Sequence, residues 1–312
     1  MMKRVHSAIA AAALVALAVA GEAGGYEVPE WNDAQKEFFS MSPAERRTRF
    51  TDEGWRKSIR FSRTHGKWRE AREGERSRFV HLSGIPNMRE LGGLSAADGK
   101  RIKRGLVYRS AGLNLNAPYR VVTNENGKTE REYYGRGGER LGEGAREYAV
   151  DTLGIKTDLD LRGEGECRGM TGSPLGPKVK WVRTSFRGYA DLFSPEGKAS
   201  FKEAFSVLLD ESRYPLVFHC IAGADRTGTL AYIVEALCGV SDADLMFDWE
   251  LTALANPNVR FAHKDRYDKL VAGFAKYPGA TSRERVEAFV REQGFSDADI
   301  AKLRAFLLED AK

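Results

Sequence analysis

The decapeptide His219-Cys220-Ile221-Ala222-Gly223-Ala224-Asp225-Arg226-Thr227-Gly228 separates two segments of different periodicity. Before it, residues 214–218 form a short apolar run bounded by Arg213 and His219, the pattern of a buried strand. After it, residues 227–237 have helical spacing, with Gly239 where a helix closes on a left-handed residue. A strand that feeds a helix through a tight loop is a unit of parallel α/β architecture. The expected fold is therefore α/β, a central, mostly parallel sheet flanked by helices. Residues 106–109, 156–161 and 179–182 supply further strands, and 143–153 and 201–209 further helices, the first closed by Gly154. The tail from Ser282 to Leu308 reads as two helices broken at Gly294, with Ser296-Asp297-Ala298-Asp299 starting the second.

The loop is built to hold an anion over a thiol. Gly223 between Ala222 and Ala224 lets successive backbone N–H groups curl into a cup, and the helix that follows adds the positive end of its dipole. Ile221, Ala222, Gly223, Ala224, Asp225 and Arg226 form this expected phosphate cradle. The same field favours the thiolate of Cys220, the expected nucleophile. Arg226 offers a planar fork for two phosphoryl oxygens. The chemistry these residues fit is in-line attack by sulfur on phosphorus, then hydrolysis of a cysteinyl-phosphate, with no metal or cofactor required. Thr227 either assists the sulfur as leaving group or caps the helix, and both roles are compatible. His219 either tunes the thiol or is a satisfied buried histidine. Six fixed letters at this spacing arise by chance on the order of once in ten million starts, so the motif outweighs a structural reading of Cys220.

These residues resemble the signature of the cysteine-dependent protein tyrosine phosphatase superfamily: His-Cys, five residues, then Arg. More narrowly, the chain resembles the bacterial branch of atypical tyrosine and dual-specificity phosphatases. Asn87-Met88-Arg89-Glu90-Leu91-Gly92-Gly93 is similar to that branch's Asn-x-Arg-x-Leu-Gly-Gly motif, Tyr108-Arg109-Ser110-Ala111 to its Tyr-Arg-Ser element, and Asp160-Leu161-Arg162 to its Asp-Leu-Arg strand end. The likeness spans about 79–310 and omits 26–78 and an insert at 114–140, read as a hairpin or loop. It implies a tyrosine-phosphatase-like fold with an N-terminal helical extension, and hydrolysis of phosphomonoesters in proteins or small molecules. The branch often has Lys where this chain has Ala224; its loss disfavours multiply phosphorylated ligands and favours phosphotyrosine-type esters over the alternative, inositol polyphosphates or phosphoinositides. A silent phosphoprotein-binding module is the remaining reading. The resemblance makes Asp225 the first choice of general acid, the other reading being an ion-pairing or loop-orienting role, with Asp160 and Asp191 in reserve; Asp160 is either an acid or a partner of Arg162 or Arg109. Asn87 and Arg89 either shape the cradle from behind or serve the structure alone.

Lys3 and Arg4, the apolar run 8–20 and small residues up to Ala23 read as a secretory signal peptide, cut after Ala20 or Ala23. Export to the periplasm or medium is expected, with no membrane segment after cleavage. Cleavage after Ala20 removes Lys3 and Arg4 and takes the formal charge from +5 to +3, and no aromatic-interleaved basic run indicates nucleic acid. Residues 26–78 read as two or so amphipathic helices, either scaffolding or a mobile lid. Cys167 and Cys238 either pair or remain thiols.

Overall fold

The computed structural model describes residues 27–60, 68–70, 78–82, 84–114, 117–136, 141, 144–255 and 266–311; the signal segment and its cut sites lie outside them. The chain divides into two units. The described part of the first includes the antiparallel pair of β1 (Glu27–Pro29) and β2 (Trp68–Glu70). The extension read as helical thus also contains a strand pair.

Residues 34–60 belong to the larger unit. They hold three helices rather than two: α1 (Asp33–Ser40), α2 (Pro43–Arg49) and α3 (Glu53–Ser58). The Ser42 side chain accepts from the Glu45 amide while the Glu45 carboxylate accepts from Ser42, the reciprocal cap legible in Ser-Pro-Ala-Glu. Phe38 stacks on Phe247 with ring centroids 5.6 Å apart, and Arg46 Nε lies 2.5 Å from Glu250 Oε2 with both side chains buried. These contacts pack the segment on residues 247–250 of the same unit.

The central sheet is built from β3 (Arg89–Glu90), β5 (Val107–Ser110), β8 (Thr157–Asp160), β9 (Lys180–Arg183) and β10 (Leu216–His219), in the order β3-β5-β10-β8-β9. All neighbours run parallel except the edge strand β3. Every residue of β10 is buried, which explains its unbroken apolar run: a central parallel strand is covered on both faces. Two smaller pairs stand apart from this sheet. β4 (Lys100–Ile102) joins β11 (Leu308–Asp310), and β6 (Tyr119–Thr123) joins β7 (Thr129–Tyr133) as the hairpin of the insert.

The sheet is flanked by α4 (Ala145–Glu147), α5 (Pro195–Leu208), α6 (Arg226–Leu237), α7 (Asp242–Ala255), α8 (Arg266–Phe274), α9 (Ser282–Glu292) and α10 (Asp297–Leu307). The helix expected over 143–153 is one short turn that widens into a π-turn over Tyr148–Thr152 before Gly154 at φ +67°. Helix α6 is buried nearly all round and ends at Gly239 with φ +82°. One apolar core joins Phe218 of β10 to Leu230, Ile233 and Val234 of α6 and to Phe201, Phe205 and Phe289 on the flanking helices. Among the described residues, no helix is long and apolar enough to cross a membrane.

Replacing Arg46 by Met strips the buried Glu250 carboxylate of this partner. The expected loss is about 3 kcal/mol of unfolding free energy, read from denaturant unfolding with tryptophan fluorescence. A change below about 0.5 kcal/mol would show that the α2–α7 pair does not anchor the extension.

Candidate active site

Cys220 follows directly on the carboxyl end of the central strand, where sites of parallel sheets gather. Each carbonyl from Cys220 to Asp225 has a partner in the surrounding scaffold. His219 Nδ1 lies 3.2 Å from the Cys220 carbonyl. The Gly112 amide donates to Ile221 at 2.9 Å, and Asn87 Nδ2 donates to Ala222 at 3.3 Å and Gly223 at 3.0 Å. Arg109 Nη2 also donates to the Gly223 carbonyl, at 3.1 Å. The carbonyls of Ala224 and Asp225 accept from the Gly228 and Thr229 amides in the first turn of α6. Carbonyls turned into the scaffold leave the amide edge of the loop to face the sulfur and any anion above it. Gly223 makes the bend possible. Its φ is +64°, and a Cβ there would sit 2.6 Å from the Ala111 nitrogen and the Ser110 carbonyl.

The donors behind the loop are fixed in turn. Asn87, at φ +57°, is an asparagine in the left-handed region this residue tolerates. It accepts from Arg89 Nη1 at 2.6 Å, and Arg89 and Arg109 both donate to Asp248 of α7, at 3.1 and 2.5 Å. Arg78 adds a third guanidinium at 2.6 Å. Burial alone would raise the Asp248 pKa, but the three arginines hold it below the usual carboxylate range. Asn87 thus reaches the Ala222 and Gly223 carbonyls directly, and Arg89 reaches the loop through Asn87. Asp248 and the part played by Arg109 were not read from the sequence.

Cys220 is 2% exposed. Burial pushes its thiol up, but the Arg226 charge, the Thr227 hydroxyl and the amides of Thr227 and Gly223 together bring it below an ordinary thiol. The Thr227 hydroxyl is buried, forms no well-aligned hydrogen bond, and acts with the Arg226 charge to favour the charged form of the sulfur. Cys167 and Cys238 show the contrast. Both are free buried thiols that burial pushes up, Cys238 to about 12. The disulfide left open in the sequence is not formed.

Arg226 donates through both Nη atoms to Glu166, at 2.5 and 2.7 Å. Glu166 is a positioning residue the sequence hid in a polar turn. Burial would raise its pKa, but Arg226 keeps it ionised and lowered. The pair holds the guanidinium fork in one plane while leaving its charge to act on Cys220.

His219 sits beneath the loop, wholly buried. Burial alone would lower its pKa, but Asp160 and Asp158 raise it. Its Nε2 is 2.9 Å from Asp158 Oδ1, off the line of a good hydrogen bond, and its Nδ1 is 4.0 Å from Asp160 Oδ1. Asp160 in turn receives Arg162 Nε and Nη2 at 2.8 and 2.7 Å. Although burial acts to raise its pKa, the His219 and Arg162 charges hold it ionised, below the carboxylate range. Asp160 as reserve acid is therefore corrected: a fully buried carboxylate committed to Arg162 has no proton to give. Asp225 stands at the first turn of α6, half-buried. It accepts from the Tyr189 hydroxyl and from Arg266 Nη1 at 3.0 Å. Asp191 is exposed in the 3₁₀ turn Tyr189–Phe193. Ile221 is 44% exposed and Ala224 buried. Among the described residues, no cluster of His, Cys, Asp or Glu could hold a metal ion.

The family model described as the tyrosine phosphatase family matches residues 80–128 and 120–309. A Cupriavidus necator protein provisionally named a tyrosine-protein phosphatase is 27% identical over 189 residues, covering 53% of this chain and 59% of that protein. A tyrosine-protein phosphatase of Nostoc commune is 24% identical over 125 residues, covering 34% of this chain and 42% of that protein. The chain thus spans less than two thirds of the length of either. Among solved structures, the core catalytic domain of the PP-IP phosphatase SIW14 from S. cerevisiae, in complex with citrate, is similar with TM-score 0.32 and 13% identity, covering 65% of this chain and 91% of that one. A second SIW14 catalytic core gives TM-score 0.34 and 14% identity, covering 58% of this chain and 83% of that one.

The thiolate absorbance near 240 nm, taken as the difference between the parent and Cys220→Ser, should titrate with a midpoint below the ordinary 9.0 of a thiol. Thr227→Val should move that midpoint upward, because it removes one donor to the charged form. An unmoved midpoint would separate the hydroxyl from the sulfur. Gly223→Ala is expected to cost at least about a hundredfold in turnover, measured at saturating substrate, because the added methyl displaces the loop from Ser110.

Proposed function

The chain belongs to the tyrosine phosphatase family, and from that premise we propose that it hydrolyses phosphotyrosine-type monoesters through a phosphorylated Cys220. One observation carries this: the Arg226 charge, the Thr227 hydroxyl and two loop amides all stabilise a single buried sulfur as thiolate, at the start of a loop whose carbonyls are turned away from it. A site that favours one anion binds a second above it only with a cation to compensate, and Arg226 is that group.

The steps balance. The Cys220 thiolate attacks phosphorus in line, and an S–P bond forms as the ester P–O bond breaks. The departing oxygen takes its proton from Asp225, held at the mouth of the loop by Tyr189 and Arg266. Water then attacks phosphorus and returns its proton to Asp225, the S–P electrons go back to sulfur, and inorganic phosphate leaves. Thr227 stabilises the returning thiolate. A phosphotyrosine ring suits the position because Ala224 adds no second cation to the cradle and Ile221 presents an exposed apolar side chain beside it. The basic start and apolar run at 8–20 support a place of action outside the cytoplasm.

A panel of p-nitrophenyl phosphate, phosphotyrosine peptides and phosphoserine peptides tests the reading, with Cys220→Ser as the blank. The expected result is turnover on the aryl esters, none with Cys220→Ser, and acid-quenched label retained on Cys220 during turnover. Arg226→Lys should lose at least about a hundredfold in kcat, since a point charge does not replace the fork. Turnover that survives in Cys220→Ser would refute the covalent route. Asp225→Asn should slow phosphotyrosine more than p-nitrophenyl phosphate, whose leaving group needs less protonation; equal slowing would assign Asp225 to loop geometry instead.

A further inference from the structure

A cavity of about 490 Å³ joins the β6–β7 hairpin to the catalytic loop, with Lys128, Glu130 and Arg131 on one side and Arg162, Glu166 and Ile221 on the other. Its volume is in the range of a ligand site. The charges along it are not equally committed. Arg162 is buried and held by Asp160, and Glu166 is taken by Arg226. Glu130 receives Arg168 Nη2 at 3.0 Å and Asn124 Nδ2 at 2.7 Å. Among the described residues, no carboxylate forms an ion pair with Lys128 or Arg131. Arg131 lies over the Tyr119 ring, 4.5 Å from its centroid, which supports the side chain without neutralising it. Two exposed cations therefore face a pocket whose other end is the loop bearing the nucleophile.

Resting on the phosphotyrosine reading above, we propose that Lys128 and Arg131 bind a carboxylate that flanks the phosphotyrosine of an acidic peptide substrate. The aryl phosphate occupies the cradle beside Ile221, and the neighbouring Asp or Glu of the peptide reaches the hairpin. A peptide offers one anion on one side. An inositol ring bearing phosphates all round would set some of them against Glu130 and Glu166, which line the same cavity, a like-charge penalty. The insert thus supplies from outside the loop a positive charge that Ala224 does not supply within it.

The test is equilibrium binding of Cys220→Ser to labelled phosphotyrosine peptides whose flanking residues are Glu or Gln. The Glu peptide should bind about fivefold tighter at low salt, and the ratio should fall as salt rises. Lys128→Ala with Arg131→Ala should bring the ratio to about one, and Lys128→Glu with Arg131→Glu should invert it; the ratio cancels any general loss of folded protein. A ratio of one in the parent, or one that survives the double substitution, overturns the proposal. Inositol hexakisphosphate displacing the Glu peptide at a tenfold lower concentration than unlabelled Glu peptide also overturns it, in favour of a polyphosphate ligand. Because binding is read without turnover, a parent enzyme inert on aryl phosphates would sink the phosphatase reading and leave this ratio to decide the hairpin's role.

Discussion

Six consecutive carbonyls held away from the sulfur are the constraint on which the site depends. A peptide unit that turns its oxygen outward turns its N–H inward, so anchoring the oxygens of residues 220–225 is the means of aiming the amides. The anchors come from separate parts of the chain: Asn87 before β3, Arg109 and Gly112 at the end of β5, and the first turn of α6. Each limits the loop to one shape, in which Gly223 has no room for a side chain and the Thr227 and Gly223 amides reach Cys220. Preorganised dipoles of this kind need no rearrangement when charge develops, which is where their catalytic value lies.

Such a loop must sit on buried charge, and two networks carry it. Behind the loop, three guanidiniums surround Asp248, and the cations that fix the carbonyls are themselves fixed. Beneath it, His219 and Arg162 face Asp158 and Asp160, two potential cations against two carboxylates. Removing Asp248 from the first set, or Arg162 from the second, would leave an uncompensated buried charge, costlier than the pair is stabilising. Helix α7 ties this interior to the extension, because Asp248 and Glu250 lie on the same helix and Glu250 holds Arg46. The N-terminal helices thus brace the helix that orients the loop's arginines.

What could be read from the sequence was local. The strand, loop and helix around Cys220 announce themselves by periodicity and by small residues in one short stretch, and the Ser42-Pro43-Ala44-Glu45 and Ser296-Asp297-Ala298-Asp299 caps lie within four residues. Asn87 and Arg89 were legible only because a family motif carried them. Glu166 reaches Arg226 across 60 residues and Asp248 reaches Arg109 across 139, and no local pattern in either segment signals the pairing. Asp160 misled for a different reason, its burial rather than a distant partner. A carboxylate at a strand end is where an acid would stand, but its partner Arg162 is two residues away and its burial depends on β10 beside it. Periodicity also does not separate an α-turn from the π-turn at Tyr148–Thr152, since both bring the same side chains inward.

The hairpin is the part of the chain least dictated by the sheet. Among the described residues its strands pair only with each other, in a register that sets Tyr119 against Tyr133 and Arg120 against Glu132. Its hold on the rest of the unit comes through Tyr133, packed with Ala117, Cys167 and Met170, and through Glu130 to Arg168. Both contacts fall on the segment that follows Arg162 and carries Glu166. An element fastened there can change its tip without disturbing the strands that position Cys220. The turn between its strands is therefore a place where side chains vary at little cost to the fold, while the segment it grips is the one that holds the Arg226 guanidinium. On the proposed reading, substrate preference and phosphate clamp meet at that segment, and a change in the hairpin's seat on 165–168 would be felt by Glu166 before it was felt by the sulfur.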